Sequence, residues 1–195
     1  MIRIKFRRGH AMKIQFARVD HKRSGSTSGA VLYEITRAFL TAVILASLIL
    51  AFFCRSATVN GESMEPTLHN GDRLLVSSYS QNYKRGDIVI VHREHADPLV
   101  KRVIAVPGDT LSIDYTTGTV TVNGKVLQEE YIAEPTYRSF EGGPAFPLEI
   151  PDGYLFVMGD NRNNSMDSRD PEVNLVNKNN VLGKMMIDFN NTEAE

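Results

Sequence analysis

The sequence predicts an all-β body built of antiparallel sheets and preceded by one transmembrane helix. Three observations carry this. Ala38 to Cys54 is an uncharged run of 17 residues. After Thr58 the apolar residues come in short runs of four to eight, separated by turn dipeptides. Beyond residue 55 no segment keeps a helical period.

The uncharged run, AFLTAVILASLILAFFC, is about 26 Å long as a helix, close to the ~30 Å of a bilayer core. Ala30 to Tyr33 can lengthen it, and Arg37 can snorkel to the interface. A cleaved signal peptide would have an unusually long leading region of 37 residues. Cys54 invites a lipoprotein reading, but the residue before it, Phe53, is large. A core helix fits poorly, because the run is apolar on every face. The run therefore reads as an uncleaved anchor over residues 38–55.

Charge gives its direction. Residues 1–37 hold nine Lys/Arg against Asp20 and Glu34, a net of +7, while the remaining 158 residues net -8. A basic arm on an acidic body could mean nucleic acid. Placed just before an apolar run, it means topology instead. Residues 1–37 read as a cytoplasmic arm, and the chain from Arg55 onward lies on the other side of a cell membrane. The one cysteine, Cys54, cannot form an internal disulfide.

The strands follow in order. Asp72 to Ser77 comes after a turn at Asn70-Gly71. Asp87 to His92 (DIVIVH) and Leu99 to Val106 are apolar strands, the second interrupted by Lys101 and Arg102, and Pro107-Gly108-Asp109 turns the chain. Thr110 to Asp114 and Thr119 to Val122 flank a Gly118 turn. Asn123-Gly124 is a strong hairpin signal. Residues 134–153, rich in Pro and Gly, read as loop. Tyr154 to Met158 and Val181 to Phe189 complete the set.

Three polar clusters could carry chemistry. Gly61-Glu62-Ser63-Met64-Glu65-Pro66-Thr67-Leu68 follows the anchor, and a serine there is ordinarily just a turn residue. It is not a G-x-S-x-G elbow. Lys101 is odder, a cation among Val100, Val103, Ile104 and Val106. It either points to solvent from an edge strand or is desolvated. An ordinary lysine has a pKa near ~10.4, and burial lowers it by up to ~3–5 units. A neutral amine could then take a serine proton. His92 and His95 lie in a polar connection and read as surface, with no third ligand for a metal. The third cluster, Gly159 to Asp170 (GDNRNNSMDSRD), fails as an EF-hand, since Arg162 takes a ligand position and the sixth position lacks Gly. In it Ser165 could hydrogen-bond a buried amine, and Asp167 could pair with Arg169.

Together these motifs, G-E-S-M-E-P-T-L-x-x-G-D, R-G-D-I-V-I-V, V-K-R-V-I-A-V-P-G-D-T and G-D-N-R-N-N-S-M-D-S-R, resemble in order and spacing the boxes of type I signal peptidases, the Gram-positive kind. The resemblance implies an antiparallel β catalytic core, residues 56–108 and 151–190, with a small β insertion at 109–150, all within an extracytoplasmic domain of residues 56–195. It implies a serine endopeptidase that removes signal peptides from exported preproteins at the lipid bilayer. Ser63 would be the nucleophile and Lys101 the general base. Ser165 would position the amine, and Asp160, Asp167 and Arg169 would brace the site. Ser63, mainly through its N–H, and Gly61 would form the oxyanion hole. Val59, Met64, Leu68, Leu99 and Val100 would line a groove for small side chains. No metal, cofactor or nucleic acid is implied, and the expected working form is a monomer. Two departures stand out. Gly61 replaces a serine found in some members, and Asp170-Pro171-Glu172 replaces a smaller continuation.

Two rivals remain. A non-catalytic, membrane-tethered assembly factor could keep the fold as a binding groove, but would not need both Ser63 and Lys101. Soluble self-cleaving repressor proteases share the Ser–Lys logic, but carry a DNA-binding helical module and no anchor.

Overall fold

A computed structural model describes residues 27–78 and 82–189. Most of the basic arm, residues 1–26, lies outside the described residues. The chain divides into two compact units, residues 1–44 and 45–195.

Helix α1 runs from Thr27 to Phe53. It begins eleven residues before the expected anchor and stops two residues short of its expected end. Its apolar span, Ser28–Leu48, has a mean hydropathy of 1.6. Leu32, Phe39, Leu40, Ile44 and Leu48 are all exposed. A helix apolar all round with exposed side chains is suited to lipid rather than water. Its polar residues are satisfied locally: Thr36 and Thr41 each donate to the carbonyl four residues earlier, at 2.8 and 2.6 Å. The helix ends because Cys54 to Thr58 become a strand, β1, paired residue for residue with Ser77 to Arg73. No loop separates helix from sheet, so the apolar run alone could not show where one stops.

The strands are β2 (Arg73–Ser77), β3 (Ile88–Arg93), β4 (Ala96–Ala105), β5 (Thr110–Asp114), β6 (Thr119–Val122), β7 (Lys125–Val126), β8 (Leu148–Glu149), β9 (Tyr154–Met158), β10 (Val176–Asn177) and β11 (Val181–Asp188). They form a seven-stranded sheet in the order β1-β2-β11-β3-β4-β9-β10 and a four-stranded sheet β7-β6-β5-β8. All pairs are antiparallel.

Alternation along β3 and β9 explains their continuous apolar runs. Ile88 and Ile90 pack in one cluster with Val59, Met64, Leu68, Leu74 and Val76. Val89 and Val91 pack in another with Val103, Leu155 and Val157. Phe156 and Met158, on the opposite face of β9, join Ile104, Leu111, Val120, Val122 and Ile150. Both faces of these strands are covered, so neither can alternate with polar residues.

That third cluster also seats the four-stranded sheet against β4 and β9. The chain leaves and returns at one point, where Gly108 N–H donates to Ile150 O and Ile150 N–H to Asp109 O, both at 2.9 Å. Asn123 and Gly124 adopt the positive φ angles of 54° and 75° that the expected two-residue turn requires. Two short strands lie where no strand was expected, β8 within the Pro/Gly-rich stretch and β10 in the loop before β11. Each has only two residues, too few for a period. Pro98 is accommodated because β3 and β4 lose register between Val91↔Leu99 and Arg93↔Ala96.

Gly183 pins the centre of the large sheet. A side chain there would overlap Val76 Cγ1 and come within 2.7 Å of Ser77 O. Gly183→Ala is expected to destabilise the body by about 1–3 kcal/mol, measured by denaturant unfolding of the full chain in detergent.

Candidate active site

The Ser63 turn is fixed from below and from both ends. Met64 and Leu68 are each 1% exposed and sink into the core, and Leu68 N–H donates to Met64 O at 2.9 Å. Gly61 adopts φ 104°, a conformation open to glycine. Its N–H donates to Asn70 Oδ1 at 3.0 Å.

Lys101 comes from the middle of β4, opposite Val89 of β3, and is only 1% exposed. Its Nζ lies 2.5 Å from Ser63 Oγ in a direct hydrogen bond. Burial pulls its pKa down to about 8; Asp167 and Asp160 oppose that, while Arg93 and Arg169 add to it. The edge-strand alternative is excluded, since β4 lies between β3 and β9.

The polar loop after β9 surrounds this pair. Asn161 N–H donates to Ser63 O and Asn161 Nδ2 to Glu62 O, both at 3.1 Å, clamping the Ser63 turn. Asp167 and Arg169, both fully buried, pair in the bidentate manner, Nε–Oδ1 and Nη2–Oδ2 each 2.8 Å. Asp167 also accepts from Gly159 N–H at 3.0 Å. Asp160, likewise buried, holds Arg102 through two contacts of 2.8 and 2.6 Å and accepts from Thr67 Oγ1 at 2.5 Å. Asp160, Asp167 and Arg169 thus brace the loop.

Ser165 differs from expectation. It is 2% exposed, and its Oγ has no hydrogen-bond partner among the described residues. The Lys101 amine bonds Ser63 instead. Ser165 Oγ and Ser63 O crowd the space that a Gly159 side chain would fill, which is why residue 159 is glycine.

Two cavities meet at Ser63 and Lys101. One, of about 480 Å³, is lined by Val59, Met64, Val76, Ile90, Leu99 and Val100 among others. The second, of about 450 Å³, has a mixed lining, with Asn60, Glu62, Asn70 and Asn164 beside Leu99 and Met166. Of the five groove residues expected, Leu68 does not line the first cavity. The turn directs it inward against the core cluster instead. Gly61 needs a similar correction: with its N–H given to Asn70, it is no oxyanion donor. Among the described residues the Ser63 N–H makes no hydrogen bond. Among the described residues, no three His, Cys, Asp or Glu side chains converge as a metal site. His92 and His95 are exposed.

Thr67, Arg102, Asn161 and the pair Glu129–Arg162, at 2.5 Å, were not singled out from the sequence. Their partners lie 33 to 99 residues away. The one local signal was Arg102, a second cation inside an apolar strand.

An antiparallel β body that sets a serine hydroxyl against a buried lysine, at the end of an apolar groove, defines a class of protein, the serine peptidases. Residues 32–189 match the model of one family, "Signal peptidase, peptidase S26"; the chain belongs to that family. It is 40% identical over 167 residues to signal peptidase I of Bacillus licheniformis, covering 81% of this chain and 88% of that protein. It is 40% identical over 147 residues to signal peptidase I S of Bacillus subtilis (strain 168), covering 71% and 78%. A crystal structure of a signal peptidase I from Enterococcus faecalis V583 is 30% identical, with a TM-score of 0.45, over 54% of this chain and 97% of that one.

Burying Lys101 has a stability consequence whose sign is fixed. The unfolded lysine titrates at 10.5 and the folded one at about 8. Below pH 8 both are charged, and the folded state bears the whole net cost of holding the ammonium there, about 3 kcal/mol. Between pH 8 and 10.5 the folded state releases its proton first, so stability rises with pH. Lys101→Met is expected to be more stable than the native chain at pH 7 and to lack that rise, as read by urea unfolding across the window. A variant that is less stable at pH 7 contradicts this.

Proposed function

We propose that this chain is a membrane-anchored endopeptidase that removes signal peptides from exported preproteins, with Ser63 as nucleophile and Lys101 as general base. The observation that carries this is the 2.5 Å contact between Ser63 Oγ and a lysine that burial has brought down to about 8. About one lysine in ten is then neutral at pH 7, against about one in a few thousand for an ordinary lysine.

The neutral amine accepts the Ser63 proton as Oγ attacks the scissile carbonyl. The developing oxyanion takes the Ser63 N–H. Lys101, now an ammonium, gives its proton to the departing amine of the mature protein, leaving an acyl-enzyme. The amine, neutral again, activates the water that releases the signal peptide. Val59, Met64, Leu99 and Val100 offer apolar walls to the small side chains before the cut. Asp160, Asp167 and Arg169 hold the loop against the dyad, and Ser165 completes its buried wall.

The positive excess of residues 1–37 supports a cytoplasmic N-terminus, with the domain of residues 56–195 extracytoplasmic. Within it the elements divide into a core, residues 56–108 and 151–190, and an insertion, 109–150. The anchor holds the peptidase in the bilayer that also holds its substrates, which raises their effective concentration. The proposed working form is a monomer. A purely binding role leaves the costly burial of Lys101 without an explanation.

Ser63→Ala and Lys101→Ala are each expected to abolish cleavage of a preprotein with an Ala-x-Ala site, followed by gel shift in proteoliposomes. In the native enzyme kcat/KM should climb with pH and level off above about 8, since the base must be unprotonated. Substantial cleavage by either variant would sink the dyad.

A further inference from the structure

We propose that Glu129, in the segment that leads out of the small sheet, is a positioning residue for Ser63 and Lys101 and acts through its buried ion pair with Arg162. The inference rests on the Ser63–Lys101 reading.

The pair is closed to solvent, with Arg162 at 0% and the Glu129 side chain at 6% exposure. Its contacts are bidentate, Nη2 to Oε1 at 2.5 Å and Nη1 to Oε2 at 2.8 Å. Arg162 Nε donates to Gly159 O at 3.1 Å, and Nη1 also donates to Thr136 Oγ1 at 3.0 Å. The guanidinium therefore joins two segments: the loop after β9, through Gly159, and the stretch 129–136, through Glu129 and Thr136.

A second link runs beside it. Tyr131 OH donates to Glu129 Oε1 at 2.9 Å, and the Tyr131 ring lies 4.1 Å beneath the Arg102 guanidinium. Arg102 is the partner of Asp160. Stretch 129–136 so reaches both Asp160 and Arg162, the residues on either side of Asn161. Asn161 is the residue that clamps Glu62 O and Ser63 O. Arg169 Nη2 donates to Arg162 O at 2.6 Å, which carries the same hold on to Asp167.

Residues 127–136 contain no strand or helix. Backbone hydrogen bonds tie their two ends to the small sheet, Leu127 N–H to Val120 O at 2.9 Å and Thr136 N–H to Gly118 O at 3.0 Å. Between those ends side chains set the position, and an ion pair fixes orientation in a way apolar packing does not. Net stability is a poor reason for it, since a buried pair barely offsets its own desolvation. Geometry is the better one: a small misplacement of reacting groups can cost far more in rate than in binding. The groove residues Val59, Met64, Leu99 and Val100 make no part of this network, so substrate affinity should be spared.

The test uses the full chain in liposomes with an Ala-x-Ala preprotein, comparing the native enzyme with Glu129→Gln and Tyr131→Phe. Glu129→Gln should lower kcat roughly tenfold by misplacement of the pair, with KM little changed. It should also move the midpoint of the pH–kcat profile. That midpoint senses the charges facing Lys101, namely Asp167, Arg93, Asp160 and Arg169, three of which sit on or next to the braced loop. Tyr131→Phe should fall between the two. A Glu129→Gln enzyme that melts earlier but keeps the native kcat and pH midpoint overturns the proposal, because the pair would then only hold the fold. If that variant does not fold, native kcat and pH midpoint in Tyr131→Phe overturn it equally. A native enzyme that leaves the preprotein uncut sinks the peptidase reading and this inference together.

Discussion

A lysine amine held 2.5 Å from a serine hydroxyl, at 1% exposure, sets the demand that the rest of the body meets. Water would solvate the ammonium and keep it charged; the sheet removes the water. Lys101 lies on β4, inside the seven-stranded sheet, and that sheet is covered on both faces by apolar clusters. The desolvation that lowers the pKa of the amine also costs stability. That cost is tolerable because the three clusters bury far more apolar surface than one lysine can offset.

Desolvation alone would overshoot, and the charges around the site moderate it. Asp167 and Asp160 favour the ammonium, while Arg93 and Arg169 oppose it. Each buried carboxylate already has its own arginine, Arg169 and Arg102, so neither is left to pair with the lysine outright. Lys101 is thereby left to bond Ser63. The bidentate pairs around it hold the loop in register.

Much of this architecture was legible in the sequence, and the exceptions have physical reasons. The continuous runs in DIVIVH and YLFVM and the Asn123-Gly124 turn are local patterns, and each became its expected element; the uncharged run is helical as far as Phe53, and Cys54 passes into β1. The seamless passage into β1 and the two-residue strands β8 and β10 depend on pairing with distant chain. Within the site, the motifs pointed to Ser63, Lys101, Asp160 and the Asp167–Arg169 pair, side chains that the fold brings together. Glu129 and Arg162 were missed, because a glutamate and an arginine 33 residues apart look like surface residues until the fold brings them together. Gly61 and Leu68 went wrong for a different reason. Each sits in a motif where neighbours carry the chemistry, and only the turn shows Gly61 N–H given to Asn70 and Leu68 turned into the core.

The protonation state of Lys101 is the quantity on which the whole reading turns, and it can be titrated directly. NMR of the full chain in detergent, with lysine side chains labelled at Cε and the Lys101 signal assigned by its loss in Lys101→Met, would follow that one amine from pH 6 to 11. A midpoint near 8 is expected. A midpoint at the ordinary lysine value of 10.5 would mean that the amine is a solvated cation, and that some other group takes the proton from Ser63.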